Sequence, residues 1–270
     1  MKKIDILTPI GLIFVIGSIL FGIAQGKTGI GAFIDVPSIA ITVGGSIAAV
    51  FVTFPMDDIK VGLKTTKELF RTPNVNKVDL VDQFKELARK VRKDGPLSVE
   101  QEVSEIEDSF LKKGLELAID GIESEAIQEI LEIEIMEVES NYSKGSKVYK
   151  VWSSYSPAFG MVGTLIGLIQ MLSDMGSPDT IAAGMAAALI TTFYGAIMAN
   201  GFLTPMGINI QTKGEKECER MDMMLCGIMS MQNGDSTRVI EEKLVNFLSS
   251  KEKKNYYSRE SIEGEAAHVA

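Results

Sequence analysis

The chain has 270 residues, 46% of them hydrophobic and 23% charged, and carries a formal net charge of −9. The charges are segregated: stretches 6–26, 36–56, 151–173 and 180–212 contain no Asp, Glu, Lys, Arg or His. About 20 apolar residues cross the hydrocarbon core of a bilayer as a helix, so this composition excludes a pair of ordinary soluble domains, and its acidic balance gives no electrostatic footprint for nucleic acid.

The expected fold class is all-α: a polytopic membrane protein with four transmembrane helices and a helical cytoplasmic domain. Stretch 1–56 holds the first two spans. The first, 6–26, is longer than the about 7–15 residues of a signal-peptide core and lacks a small-x-small cleavage pattern, so it reads as a retained helix. The second, 36–56, repeats small residues at Ala40, Gly44 and Ala48, a spacing that lets helix backbones approach closely in lipid. Pro37 suits its first turn and Pro55 its end.

Stretch 57–150 is the large soluble part. Its Lys and Arg lie mainly in the first half and its acids in the second. Leu80, Val81, Phe84, Leu87, Ala88 and Val91 fall on one face of a helix over 76–93. Asp94, Gly95 and Pro96 read as a break, and a second helix starts near Ser98. Ile122, Ala126, Ile130, Ile133 and Val138 predict a long helix running towards the membrane, where Trp152 and Tyr155 suit the interfacial aromatic belt.

Stretch 151–212 is a hairpin of the third and fourth spans, joined by a short loop containing Asp174 and Asp179. Gly163 and Gly167 form a GxxxG pattern in the third span. The fourth exceeds the bilayer core at about 1.5 Å per residue and must project beyond it. The tail, 213–270, predicts one amphipathic helix from Arg238 to Leu248 and an irregular, disordered end. The positive-inside rule orients the whole chain. Lys2, Lys3, Lys60, Lys64, Lys67, Arg71, Lys144, Lys147, Lys150, Lys213, Lys216 and Arg220 flank one side, against Lys27 alone on the other. Both termini and 57–150 are therefore expected in the cytoplasm.

The chemistry available is narrow. There is no P-loop, GxGxxG or GxSxG pattern, and Cys218, Cys226 and His268 are too few for a zinc site. The cysteines are expected as free thiols in a reducing compartment. With no ionisable group in any span, a titrating carrier for ion conduction has to come from another chain. The spans offer hydroxyls instead, among them Thr164, Thr191, Thr192 and Tyr194. These either bond a partner's carboxylate or a hard cation, or bond their own helix backbone. Pro157 and Pro205 mark either kinks near moving parts or a helix start and a helix end. Arg89, Arg92 and Glu100 form either a solvated face or an electrostatic docking surface.

The segments YSPAFGMVGTLIGL (155–168), AAALITTFYG (186–195), NGFLTP (200–205), ITVGGS (41–46) and RKDGPLSVE (92–100) together resemble the MotA family, the A-subunits of bacterial flagellar stators. The resemblance covers residues 1 to about 250. The hairpin alone resembles the ExbB and TolQ energisers too, but those have three spans with the soluble part after the first. The resemblance implies a bacterial cytoplasmic-membrane protein that is not an enzyme: a homo-oligomer, a pentamer around a dimer of a MotB-type partner whose transmembrane helix carries the titrating Asp. Its cytoplasmic loop drives a FliG-type rotor switch protein. No cofactor is implied beyond the translocated proton or sodium ion. Pro157 and Pro205 match the family's functional prolines. Arg92 and Glu100 match its torque-transmitting charges, and Arg89 matches them less closely. Thr164, Thr191 and Thr192 stand where sodium-using members carry hydroxyls, while most of the family uses protons. The alternative role is an ExbB/TolQ-like energiser of a periplasmic partner.

Overall fold

The computed structural model describes residues 3–26, 29–72, 76–173 and 175–269, with side chains for all of these except 3–4, 71–72 and 260–269. Lys2, Lys27 and Asp174, and the side chains of Lys3, Arg71 and His268, lie outside the described residues. Among the described residues the regular structure is helical apart from a two-residue antiparallel ladder that pairs Lys3–Ile4 with Arg71–Thr72.

In chain order the helices are α1 (Leu7–Ala24), α2 (Val36–Ile39), α3 (Gly45–Thr53), α4 (Met56–Thr65), α5 (Lys77–Asp94), α6 (Glu100–Ser104) and α7 (Ser109–Ile119). They are followed by α8 (Ser124–Ser173), α9 (Pro178–Ala196), α10 (Thr204–Gln232), α11 (Thr237–Val245) and α12 (Ser250–Val269). Two π segments, Ala40–Gly44 and Ile197–Leu203, join α2 to α3 and α9 to α10 without breaking the helix. Among the described residues, four helical stretches are long and apolar enough to cross a membrane, Leu7–Ala24, Ile30–Thr53, Ser124–Ser173 and Pro178–Gln232, and each overlaps one of the four charge-free runs.

Local signals explain the boundaries. Asp35 caps α2 by accepting from the Ser38 N–H at 2.9 Å, and Pro37 occupies the first turn. Asn76 caps α5 and Asp108 caps α7. Gly95 ends α5 with φ +86°, a left-handed conformation that disfavours other residues. α8 is 50 residues long, about 75 Å at 1.5 Å per residue, and Pro157 sits inside it rather than at its start.

The residues group into two compact units, each built from two separate stretches: 1–72 with 140–214, and 73–139 with 215–270. The core of the second unit gathers Phe84 from α5, Leu111 and Leu115 from α7, and Ile127 and Leu131 from α8 around Met223, Met224 and Ile228 of α10. Arg220 crosses the edge of this core to ion-pair with Asp108 and, at 2.6 Å, with Glu217. The tail departs from expectation. Instead of an irregular end it forms α12, because Tyr256 is 1% exposed in the same core and its hydroxyl donates to Glu241 at 2.7 Å. Cys218 and Cys226 are free thiols and half-buried; burial first, then Glu139, Asp222 and Glu217, pushes the Cys218 thiol up to about 11.

Candidate functional site: the α8–α9 hairpin and the charged end of α5

In the first unit α8 and α9 meet backbone to backbone. A Cβ added at Gly167 would lie 2.6 Å from the Gly184 carbonyl oxygen, and one at Gly184 would lie 2.7 Å from that of Gly167. At Gly195 it would reach the Ser156 carbonyl oxygen at 2.7 Å and Pro157 Cα at 3.0 Å. Small residues are the means by which helices associate closely where lipid supplies no hydrophobic drive. Gly167 of the GxxxG pattern is thus opposed by Gly184, Gly163 by Thr191, and Gly195 closes a further contact on Ser156 and Pro157, partners that spacing within one helix does not reveal.

The second span closes on this seam through hydroxyls. Thr42 and Ser46 are fully buried. Thr42 Oγ1 donates to the Thr191 carbonyl at 3.4 Å, and Trp152 Nε1 donates to Ser46 Oγ at 3.1 Å. Phe159 lies over Gly45, where a side chain would collide with its ring.

The hydroxyls of the hairpin are placed differently from one another. Thr191 is 1% exposed and donates to the carbonyls of Ala187 and Ala188 at 3.0 Å. Its side chain packs on Gly163. Thr192 bonds the Ala188 carbonyl at 3.3 Å on the exposed side of α9, and Thr164 bonds the Met161 carbonyl at 2.6 Å on α8. All three therefore rest on their own helix backbones, and Thr191 faces the seam. Tyr194 ties the start of the second span: its hydroxyl donates to Phe33 O at 2.5 Å and accepts from the Asp35 N–H at 3.1 Å.

The outward faces of the hairpin are apolar and open. Met161, Leu165, Ile169 and Leu172 recur at helical spacing on α8, and Met185 and Leu189 on α9 lead to Thr192. Pro205 follows the π segment Ile197–Leu203 within one continuous helix, so it does not end the helix. A wide turn there displaces the carbonyl that the proline ring would strike and absorbs the N–H that proline lacks.

In the second unit, Arg89, Arg92 and Glu100 are all exposed, the first two on α5 and the third at the start of α6. Among the described residues none of the three has an ion-pair partner. Lys90, by contrast, is held by Glu102 at 2.7 Å and Glu86 at 3.2 Å. Three uncompensated charges beside a neutralised one leave a pattern available to an outside partner.

A family model described as the MotA/TolQ/ExbB proton channel family matches residues 102–223. The chain is 39% identical to the Bacillus subtilis protein YtxD over 93% of both chains. It is 37% identical to motility protein A of Borreliella burgdorferi, covering 92% of this chain and 95% of that one. The chain belongs to this family. The flagellar MotAB stator complex from Bacillus subtilis superposes with a TM-score of 0.84 at 28% identity, covering 92% of this chain and 98% of that chain. As a family member, this chain carries its spans two before and two after the large soluble stretch, and the match to motility protein A extends across both pairs.

Proposed function

We propose that this chain is the A-type subunit of a flagellar stator and forms an ion channel with a MotB-type partner. The observation that carries the reading is the hairpin itself: a wall with hydroxyls and a proline on each side, long unpartnered apolar faces, and no Asp, Glu, Lys, Arg or His within 151–173 or 180–212. Such a wall completes a channel only when another chain's helix supplies a carboxylate. The relatives named motility protein A and the stator complexes of the same fold support this, and the two-plus-two arrangement of spans disfavours an ExbB/TolQ-like energiser.

The ion is a proton, with sodium as the competing choice. Thr164 and Thr192 line the face towards the partner helix, Thr191 holds the seam, and Pro157, Tyr194 and Pro205 set its geometry. The chain assembles as a pentamer in the bacterial cytoplasmic membrane with both termini in the cytoplasm. There, Arg89, Arg92 and Glu100 engage a FliG-type rotor protein.

Deleting the gene should abolish swimming while flagella still assemble; unchanged swimming, in a strain without a second stator, overturns the reading. Swimming speed at fixed pH should not respond to sodium concentration, and a saturable sodium dependence makes sodium the ion. Arg92→Glu and Glu100→Lys should each reduce torque while changing stability by no more than about 0.5 kcal/mol, as exposed substitutions do. A compensating charge in the rotor protein should restore part of that torque, and full torque in both single variants removes these residues from the coupling surface.

A further inference from the structure

Asn200 is a polar side chain of the fourth span that neither the hairpin seam nor the rotor-facing charges use. It lies in the π segment Ile197–Leu203, well before the first following charge at Lys213. Its neighbour Gly201 sits against α1, where an added Cβ would lie 3.3 Å from Val15 Cγ1. Val15 is about 15 Å along α1 from Asp5 at 1.5 Å per residue, so the Asn200 amide lies within the charge-free layer rather than at its edge.

That amide is half satisfied. Nδ2 donates to the Ala196 carbonyl at 3.2 Å, and among the described residues nothing donates to Oδ1 of this exposed side chain. Acyl chains offer no donor, and a polar group left without one in hydrocarbon is costly. This face of the fourth span therefore meets something other than lipid.

The face is a continuous stripe. Between Thr191 and Gly201 the exposed positions are Thr192, Ala196 and Asn200, one in every four residues. In an α-helix such a series drifts by about 40° at each step. The π segment, with its i→i+5 bonds, takes more residues for each turn and so brings the series back. Asn200 and Thr204 then border one open recess of about 500 Å³ together with Pro205, Ile208, Asn209 and Thr212. In the other direction the exposed side chains are Met185 and Leu189. The stripe is thus apolar before Thr192 and carries an amide and hydroxyls after it. A recess of this size holds several waters, at about 30 Å³ each.

We infer that Asn200, Thr204 and Thr212 line a hydrated exit through which the ion passes from the level of Thr192 to the cytoplasm. The inference rests on the stator reading and adds to it a route and the residues that form it. None of the three side chains titrates near neutral pH, so a proton released at Thr192 moves onto water, and Asn200 Oδ1 accepts from the hydrated ion; sodium would meet the same oxygen as a ligand.

Two measurements on the complex with its MotB-type partner test this. In membrane vesicles with the cytoplasmic face outward, a charged, membrane-impermeant methanethiosulfonate should label Asn200→Cys and Thr204→Cys, read as a mass shift above the parent with its two half-buried thiols. Phe14→Cys, at a position 76% exposed on α1, should stay unlabelled. No labelling at positions 200 and 204 would put lipid or a packed helix on this face and overturn the inference, as would equal labelling of all three. In single motors at low load, Asn200→Leu should slow rotation on the order of tenfold, the loss of one hydrogen bond to a charged species in a rate-limiting transfer. Asn200→Gln keeps the amide and should recover most of that speed. Torque near stall should stay at the parental value, because ion steps are then close to equilibrium and torque follows the energy per ion rather than the transit rate. Parental low-load speed in Asn200→Leu, or an equal fractional loss of speed and stall torque, overturns the exit. Swimming that survives deletion of the gene sinks the stator reading itself; the exit alone fails when deletion stops swimming and Asn200→Leu does not slow the motor.

Discussion

Replacing Gly195 with alanine tests whether the α8–α9 contact is backbone on backbone. The added Cβ would lie 2.7 Å from Ser156 O and 3.0 Å from Pro157 Cα, and neither atom can rotate aside. Carbon–oxygen contacts of this kind settle at about 3.3–3.6 Å, so the helices must part by about 0.6 Å at Pro157. Overpacking of this order costs about 1–3 kcal/mol. Glycine-to-alanine also raises helix propensity by about 1 kcal/mol, which would mask part of the loss. Gly22→Ala in α1 carries the same propensity gain with nothing within 4 Å of the new atom, so the difference between the two variants isolates the contact. At roughly 2–4 °C per kcal/mol, Gly195→Ala should melt about 2–12 °C below Gly22→Ala when the complexes are unfolded thermally in one detergent. Swimming should fall with it, because Pro157 moves. Equal midpoints for the two variants would refute the close approach.

Two further variants probe the ends of the framework. The Asp5 carboxyl is held below its ordinary range, chiefly by the hydrogen bond from Lys213 and less by Thr8, while burial pushes the other way. A depressed carboxyl stabilises the fold above its unfolded pKa and loses that contribution as pH falls through the lower folded value. Asp5→Asn should therefore melt below the parent at neutral pH, with the gap closing below the ordinary 3.8; a gap that persists unchanged in acid contradicts the pairing. Arg220→Ala leaves Asp108 and Glu217 facing a site that has lost its cation. Breaking a buried pair in this way costs about 3–5 kcal/mol, and chemical denaturation showing no loss would mean the pairing is solvated.

The four spans are legible in the sequence because a bilayer forbids charge over about 20 residues, a constraint that leaves gaps in the charge pattern. The seam is half legible: Gly163 and Gly167 show as a motif, but Gly184 and Gly195 acquire meaning only when α9 lies against α8. Hydroxyls are visible in sequence, but their partners are not. Thr164, Thr191 and Thr192 look alike in sequence; the structure shows which carbonyls, of Met161, Ala187 and Ala188, take their hydroxyl protons, leaving each oxygen with acceptor capacity. Pro157 and Pro205 read equally well as boundaries or interruptions, since a π turn is a matter of backbone register without a composition of its own. The tail misleads because its charge density resembles a disordered end, while one buried aromatic, Tyr256, is enough to dock a helix. The sequence also does not announce that Met223, Met224 and Ile228, beyond the fourth span, share a core with Phe84.

The glycine seam also restricts how the subunit can move. Interfaces that switch do so by exchanging one interdigitation of side chains for another, as when a helix ratchets by a turn. At Gly167 and Gly184, and at Gly195 against Ser156, the nearest atom across the seam is a backbone carbonyl oxygen, so a sliding helix would have to carry these backbone contacts with it. Close backbone contact favours the two helices of the hairpin acting as one body. Helical pitch is relaxed at Ala40–Gly44 in the second span and at Ile197–Leu203 ahead of Pro205.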